Sequence, residues 1–196
     1  TGIDQGSAWR GTNFNDSLWP SGRAQLGYGD GDETTVVSYG SDANNKRITC
    51  YFRREFTVAD PARYTNLVLA LLRDDGAVVY LNGDELLRSN LTNTPIAYAT
   101  RALAAVSGAD ESRFYPTNLS PARLRPGTNL LAVEVHQVNG QSSDLSFDLF
   151  LHGQVTGAEV VIESRRAADG IERSWPMDAA DCWLETATEL PPATWE

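Results

Sequence analysis

The sequence of 196 residues contains few of the side chains that carry most enzyme chemistry, with one lysine, two histidines and two cysteines. Lys46 alone leaves almost no candidate for Schiff-base or lysine-nucleophile chemistry. A Ser-His-Asp site would have to use His136 or His152, and no serine lies in a Gly-x-Ser-x-Gly turn. We therefore expect no catalytic residue and no enzyme activity.

The two cysteines exclude two further classes of protein. Cys50 and Cys182 are far apart and in no metal-ligand spacing, so the sequence indicates neither a zinc site nor a disulfide framework. Two reduced, buried thiols and a single bridge between them stay open as alternatives. A bridge could also join two subunits.

Positive charge and long apolar runs are scarce as well. The formal net charge is -10, whereas binding of nucleic acid needs clustered Lys and Arg. No apolar run approaches the roughly 20 residues that cross a bilayer. We expect neither a nucleic-acid partner nor membrane insertion.

Short strand patterns dominate what is present. Residues 48–58 are rich in β-branched and aromatic residues, and residues 66–73 are apolar on both faces, as in a central strand. Residues 130–138 and 145–152 alternate between apolar and polar positions. A helix of one or two turns fits only residues 101–106.

A hairpin is the strongest local signal. Residues 77–81 and 84–88 flank Asn82-Gly83, a dipeptide that readily takes positive φ. Short strands at this spacing predict an all-β sandwich or barrel.

The sequence changes character after Gly157. Residues 159–163, 171–176 and 182–186 predict three short strands. About forty residues, however, cannot form a stable sandwich without disulfide bonds or a structural metal ion. We therefore divide the chain into a main domain, residues 1–156, and a C-terminal β-rich extension, residues 157–196. The extension would dock on the main domain, pair with another chain, or belong to a longer region.

Seven motifs occur in order along the main domain. They are Trp19-Pro-Ser-Gly, Leu26-Gly-Tyr-Gly-Asp30, Tyr51-Phe-Arg-Arg-Glu-Phe56, Arg73-Asp-Asp-Gly-Ala-Val-Val-Tyr-Leu-Asn-Gly83, Gly127-Thr-Asn129, Ala132-Val-Glu-Val-His-Gln137 and Ser143-Asp-Leu-Ser-Phe-Asp148. Together they resemble the galactose-binding-like jelly-roll domains of large secreted bacterial proteins, which are distantly similar to the sugar-binding domain of family 2 glycoside hydrolases. The extension resembles the opening half of an immunoglobulin-like or fibronectin-like module.

The resemblance implies an all-β jelly-roll β-sandwich in a secreted or cell-surface protein. It leaves the ligand open, because such domains serve as carbohydrate-binding modules, as packing partners of neighbouring domains, or as adhesive spacers.

Clustered carboxylates on a turn predict a metal site. Asp74 and Asp75 precede Gly76 between two strands and could hold a structural Ca²⁺ ion together with Asp144. Alternatively the two aspartates only make the turn, bonding nearby backbone N–H groups or pairing with arginines. Residues 29–33 form a second acidic loop, which a solvated turn explains better.

Binding of a sugar needs an aromatic ring and planar polar groups. The strand pattern offers one set of candidates, Arg53, Tyr80, Asn82, Glu134, His136 and Gln137. A polar face that is satisfied by packing against loops explains these residues nearly as well.

We therefore expect a non-catalytic extracellular carbohydrate-binding or adhesive accessory module, whose partner is a polysaccharide or a cell-surface glycan. The alternative is a structural subunit of an extracellular filament or surface assembly, in which the C-terminal strands pair with a copy of the chain or with neighbouring domains. A hydrolase that uses Asp74 or Glu134 is a third hypothesis.

Overall fold

The computed structural model describes residues 3–155, and the backbone of residues 163–167 and 170–174. The chain divides into two compact units, residues 1–155 and 156–196. Within the described residues, no helix is long and apolar enough to cross a membrane.

Eleven strands form the regular structure of the described residues. They are β1 (Leu26–Tyr28), β2 (Thr35–Val36), β3 (Thr49–Val58), β4 (Tyr64–Arg73), β5 (Gly76–Leu81), β6 (Asp84–Ser89), β7 (Tyr115–Leu119), β8 (Gly127–His136), β9 (Leu145–Val155), β10 (Glu163–Ala167) and β11 (Gly170–Ser174). Single 3₁₀ turns cover Ala8–Arg10, Pro61–Arg63, Gly108–Asp110 and Pro121–Arg123.

The first unit is a sandwich of two sheets. One sheet has the strand order β2-β1-β9-β4-β7 and the other β3-β8-β5-β6. Only β1 and β2 pair in parallel. If β1 and β3 to β9 are numbered consecutively, the sheets read 1-8-3-6 and 2-7-4-5, the order of a jelly roll. The predicted all-β sandwich is confirmed.

The predicted hairpin forms between β5 and β6. Asn82 and Gly83 take φ values of 55° and 95° in the turn, as the dipeptide predicts. The strand that is buried on both faces is β5 and not β4. All of β5 is buried, whereas Asn66 and Val68 of β4 are only partly buried on the outer side of their sheet.

Two apolar clusters explain the burial of β5. Leu69, Leu71, Val79, Val133 and Leu145 belong to the core between the sheets. A second cluster covers the other face of the four-stranded sheet; it comprises Trp9, Tyr51, Val78, Tyr80, Leu91, Leu130 and Ala132. The four-stranded sheet is therefore covered on both faces.

The helix considered for residues 101–106 does not form. The N–H of Ala102 bonds to the carbonyl of Gln137 at 3.1 Å, and the N–H of Leu103 bonds to the carbonyl of Asn90 at 3.0 Å. In such a helix these two N–H groups would lie in the first turn, where they have no partner within the helix. Bonds to distant segments therefore hold residues 101–106 in an irregular conformation.

The C-terminal unit contains a two-stranded antiparallel sheet. Strands β10 and β11 pair from Glu163–Ser174 to Ala167–Gly170. The second predicted strand, residues 171–176, overlaps β11. The first, residues 159–163, shares Glu163 with β10, and its residues 159–162 lie outside the described residues. The third, residues 182–186, lies outside the described residues.

The cysteine alternatives stay open. Cys50 lies in the core between the sheets and is 8% exposed, and burial raises the pKa of its thiol. Cys182 lies outside the described residues, so the bridge between the two stays a prediction.

Candidate functional site

Five acidic side chains lie on loops at one end of the sandwich. Asp30 follows β1, Asp74 and Asp75 connect β4 to β5, Glu111 precedes β7, and Asp144 precedes β9. These loops meet because the antiparallel strand β9 starts where β1 and β4 end. We call this region the acidic end.

Asp75 has a structural task. It is 1% exposed, and its two carboxylate oxygens accept the N–H groups of Val106 and Val138, both at 2.7 Å. The side chain thus ties two loops to the β4–β5 turn, as the turn-making alternative predicts for this residue.

Asp74 differs from its neighbour. It is also 1% exposed, but neither of its carboxylate oxygens has a hydrogen-bond partner among the described residues. Burial raises its pKa to about 9, with further contributions from Asp75, Asp144 and Glu111. A buried, unpaired carboxylate is unfavourable. Asp74 therefore needs a proton or a cation.

The other three carboxylates approach one another. Asp30, Glu111 and Asp144 each place one oxygen within 4.8 Å of the others. Oxygen ligands lie about 2.3–2.6 Å from Ca²⁺, so two of them around one ion are at most about 5 Å apart. The spacing of these three oxygens is suitable for one such ion.

The acidic loop of residues 29–33 also groups Asp30 with Asp32 and Glu33. The carboxylate of Glu33, however, accepts the N–H groups of Asp30 and Gly31 at 3.0 and 3.1 Å. These bonds support the solvated-turn interpretation of this loop.

Three of the predicted ligand-binding residues come together on the four-stranded sheet. The hydroxyl of Tyr80 donates to Oε1 of Glu134 at 2.5 Å, and Nη2 of Arg10 donates to the same oxygen at 3.1 Å. Nε2 of His136 lies 3.2 Å from Oε2 of Glu134. This pairing lacks hydrogen-bond geometry. We call this group the Glu134 cluster.

The N-terminal segment covers the Glu134 cluster. The ring of Trp9 packs 4.6 Å from that of Tyr51 and 5.8 Å from that of Tyr80, and Glu134 and His136 are at most 2% exposed. The oxygens of Glu134 face Tyr80, Arg10 and His136, whereas Nε1 of Trp9, Nε of Arg10 and Nε2 of His136 have no hydrogen-bond partner among the described residues. A ligand has no access to it while this segment is in place, and ligand binding by these side chains stays a prediction.

The surroundings of Glu134 also set its pKa. Burial acts to raise this pKa, but the proximity of His136, the hydrogen bond from Tyr80 and the charge of Arg10 outweigh it and hold the pKa below its usual range. Glu134 is therefore an ionised carboxylate.

The other predicted ligand residues lie elsewhere. The guanidinium of Arg53 donates to the carbonyl of Gly11 at 2.8 Å and pairs with Asp16, which anchors the N-terminal segment. Oδ1 of Asn82, in the β5–β6 turn, accepts the N–H of Leu130 at 3.0 Å. Neither residue joins the Glu134 cluster.

Gln137 belongs to the acidic end. Its Nε2 donates to the carbonyl of Asp144 at 2.6 Å and to the hydroxyl of Tyr28 at 3.2 Å. Its Oε1 is buried and has no hydrogen-bond partner among the described residues.

A strip of mostly polar residues on the solvent side of the five-stranded sheet was not predicted from the sequence. It comprises Asn66 on β4, Asn118 on β7, and Phe150, His152 and Gln154 on β9, and we call these five residues the outer face. All but Asn66 are exposed. The signal was present, because the alternation that places Leu149 and Leu151 in the core turns Phe150 and His152 the other way.

Comparison of the chain with protein families and with curated proteins gives no name to these sites. No family model matches the chain, and no curated protein is significantly similar to it.

Proposed function

We propose that this chain is a non-catalytic, extracellular carbohydrate-binding module that holds a polysaccharide or a cell-surface glycan against the outer face. One observation carries the proposal. An exposed aromatic ring, Phe150, lies on the same face of the sheet as three side-chain amides that are hydrogen-bonded to one another.

The aromatic part of this face consists of two phenylalanines. Phe150 is 56% exposed, and its ring lies 5.0 Å from that of Phe114. An exposed ring offers the apolar surface on which the C–H face of a pyranose packs. Phe150, His152 and Gln154 alternate along β9 over about 14 Å, since a strand rises about 3.4 Å per residue. The strip thus suits an extended chain.

The amide part is pre-ordered. Nδ2 of Asn66 donates to Oδ1 of Asn118 at 2.9 Å and to Oε1 of Gln154 at 2.8 Å. These bonds fix the two outer amides and leave their NH₂ groups as donors for sugar hydroxyls. Side chains that are already ordered lose less entropy on binding.

The charge of the face favours a neutral ligand. β7 contains no charged residue, and His152 is the only titratable side chain between Phe150 and Gln154 on this side of β9. Hydroxyl groups match the amides, whereas a polyanion would find no lysine or arginine in this strip.

A structural subunit is the second candidate, and β10 and β11 favour it. Among the described residues they form a sheet of two strands, and such hairpins are marginally stable alone in water. Strand pairing with another chain would complete such a sheet. Light scattering over a range of concentrations tests it, because an assembling subunit would grow in mass with concentration whereas a binding module would not.

A glycan-array screen followed by titration of the best polysaccharide tests the main proposal. We expect Phe150→Ala and Asn118→Ala to weaken binding at least about tenfold. Leu103→Ala removes an equally exposed apolar side chain outside the outer face and should leave affinity within about twofold. Incubation with the bound polysaccharide should release no product.

A further variant distinguishes the two sets of residues. Tyr80→Phe removes one hydroxyl from the Glu134 cluster and should not change affinity. Loss of binding in Tyr80→Phe but not in Phe150→Ala would place the glycan at the residues that the sequence predicted. A wild-type protein that binds no glycan would contradict both sites and favour the structural subunit.

A further inference from the structure

We propose a Ca²⁺ site at the acidic end, formed by the carboxylates of Asp30, Asp74, Glu111 and Asp144. This site involves no residue of the outer face, so it stands or falls independently of glycan binding. Its ligand set also departs from the sequence-based one, Asp74, Asp75 and Asp144, because both oxygens of Asp75 are occupied by backbone N–H groups.

The first observation is the spacing of three carboxylates from separate loops. Oxygens of Asp30, Glu111 and Asp144 lie within 4.8 Å of one another, as ligands of one Ca²⁺ ion do. In the part of the chain that the structure describes, neither these three side chains nor Asp74 forms an ion pair. Their mutual repulsion is therefore not relieved by a basic residue.

The second observation is independent of that spacing. Asp74 is 1% exposed and has two carboxylate oxygens without a hydrogen-bond partner among the described residues. The N–H of Asp74 bonds to the carbonyl of Ser146 at 2.8 Å, and the hydroxyl of Ser146 donates to Oδ2 of Asp30 at 3.0 Å, so Asp74 and Asp30 contact the same residue. A cation gives the buried carboxylate the partner that the protein does not supply.

Gln137 adds a neutral oxygen in the same region. Its Nε2 donates to the carbonyl of Asp144 and the hydroxyl of Tyr28, whereas its Oε1 is buried and has no hydrogen-bond partner in the described part of the chain. Amide and carboxylate oxygens are the ligands that Ca²⁺ prefers. The set contains no sulfur or nitrogen donor, which argues against Zn²⁺.

The backbone at Gly29 allows the loops to approach. Gly29 has φ +113°, and a Cβ built there would lie 2.7 Å from Cα of Asp144 and 2.8 Å from the carbonyl oxygen of Ser143. The hydroxyl of Ser146 then donates to Oδ2 of Asp30 at 3.0 Å. The glycine thus brings the Asp30 loop against the start of β9, and an ion would hold the two together.

Calorimetric titration of the chelator-treated full chain with CaCl₂ alone tests the site. We expect one ion per chain and a rise in Tm of about 5–10 °C at about a hundredfold excess over Kd. MgCl₂ should bind more weakly, because Mg²⁺ demands a stricter octahedral geometry and retains water.

Matched variants assign the ligands. Asp74→Asn and Glu111→Gln should each weaken Ca²⁺ binding at least about tenfold. Asp110→Asn is the control, since Asp110 neighbours Glu111 in sequence but is exposed beside Arg113, and it should bind within about twofold of wild type. In the presence of chelator, Asp74→Asn should be no less stable than wild type. A loss of Ca²⁺ binding in this variant would then not be caused by misfolding.

The outcomes are distinct. No binding heat and no change in Tm at about 1 mM Ca²⁺ would overturn the proposal. So would normal affinity in both Asp74→Asn and Glu111→Gln. If Asp74→Asn does not fold, the difference in Ca²⁺ affinity between Glu111→Gln and Asp110→Asn tests the site without it. Glycan binding by the wild type and by Glu111→Gln, measured in the same preparations, separates failure of the metal site from failure of the proposed function.

Discussion

Glu134 and Asp74 are equally buried carboxylates with opposite surroundings. Glu134, 2% exposed, faces Arg10, Tyr80 and His136, and its pKa is lowered. Asp74, 1% exposed, has no hydrogen-bond partner among the described residues, and its pKa is raised to about 9. Burial acts in the same direction on both residues, so the partners make the difference.

The comparison shows how a buried charge is to be interpreted in this fold. Where the protein supplies hydrogen bonds and an opposite charge, as at Glu134, the carboxylate stays ionised and holds elements together. Where it does not, as at Asp74, the carboxyl group retains its proton or, as we propose, binds a cation. Three expected results test this contrast, from the largest effect to the smallest.

Glu134→Ala should produce the largest loss of stability. It removes the acceptor for Tyr80 and leaves the guanidinium of Arg10 unpaired beneath Trp9, which we expect to lower the free energy of unfolding by about 3 kcal/mol in urea denaturation. Glu85→Ala breaks an exposed pair with Arg88 and should lower it by less than about 1 kcal/mol. Equal losses of stability in Glu134→Ala and Glu85→Ala would show that the buried pairing of Glu134 stabilises the fold no more than an exposed ion pair does.

Gly29→Ala should have the next largest effect. Its methyl group meets backbone and side-chain atoms of Asp144 at 2.7 Å, so we expect about 2 kcal/mol of destabilisation and weaker Ca²⁺ binding. Gly31→Ala shares the positive φ, at +80°, but has no atom within 4 Å of the added carbon. This control should lose only about 1 kcal/mol, measured by the same urea denaturation, and keep its Ca²⁺ affinity.

Asp74 should give the chelated protein a pH dependence of opposite sign to that of an ordinary paired carboxylate. The pKa is near 3.9 in the unfolded chain and about 9 in the fold, so between these values the folded state binds more protons. Stability is therefore present in acid and falls as pH rises towards 9. Between about pH 6.5 and about pH 7.5, wild type should lose about 1–2 kcal/mol more than Asp74→Asn.

Urea denaturation in EDTA measures this difference. Parallel pH profiles for wild type and Asp74→Asn would show that Asp74 is not the residue that retains the proton. Addition of Ca²⁺ should flatten the wild-type profile, since the cation replaces the proton.

The strands could be predicted because their signal is local. The alternation of residues 145–152 and the Asn82-Gly83 turn each depend on neighbours in sequence, and the structure confirms both. The helix considered for residues 101–106 failed for the opposite reason. Its N–H groups bond to Asn90 and Gln137, which the local sequence does not reveal.

The sites were only partly predictable. Asp74, Asp75 and Asp144 were recognised as candidate ligands from their residue types, but only the loop contacts distinguish the occupied oxygens of Asp75 from the unpartnered ones of Asp74. Likewise, alternation placed Glu134 and His136 away from the core between the sheets. It could not predict that the N-terminal segment covers them.

The sequence by itself determined the all-β class, the hairpin and the side-chain alternation, because period-two patterns and turn dipeptides act over a few residues. The tertiary structure alone decided which side chains meet. Asp30 and Asp144 become neighbours because β1 pairs with β9, and Arg10 reaches Glu134 because the N-terminal segment folds over the four-stranded sheet. Contacts between distant segments depend on how the whole core is buried, and no local pattern encodes them.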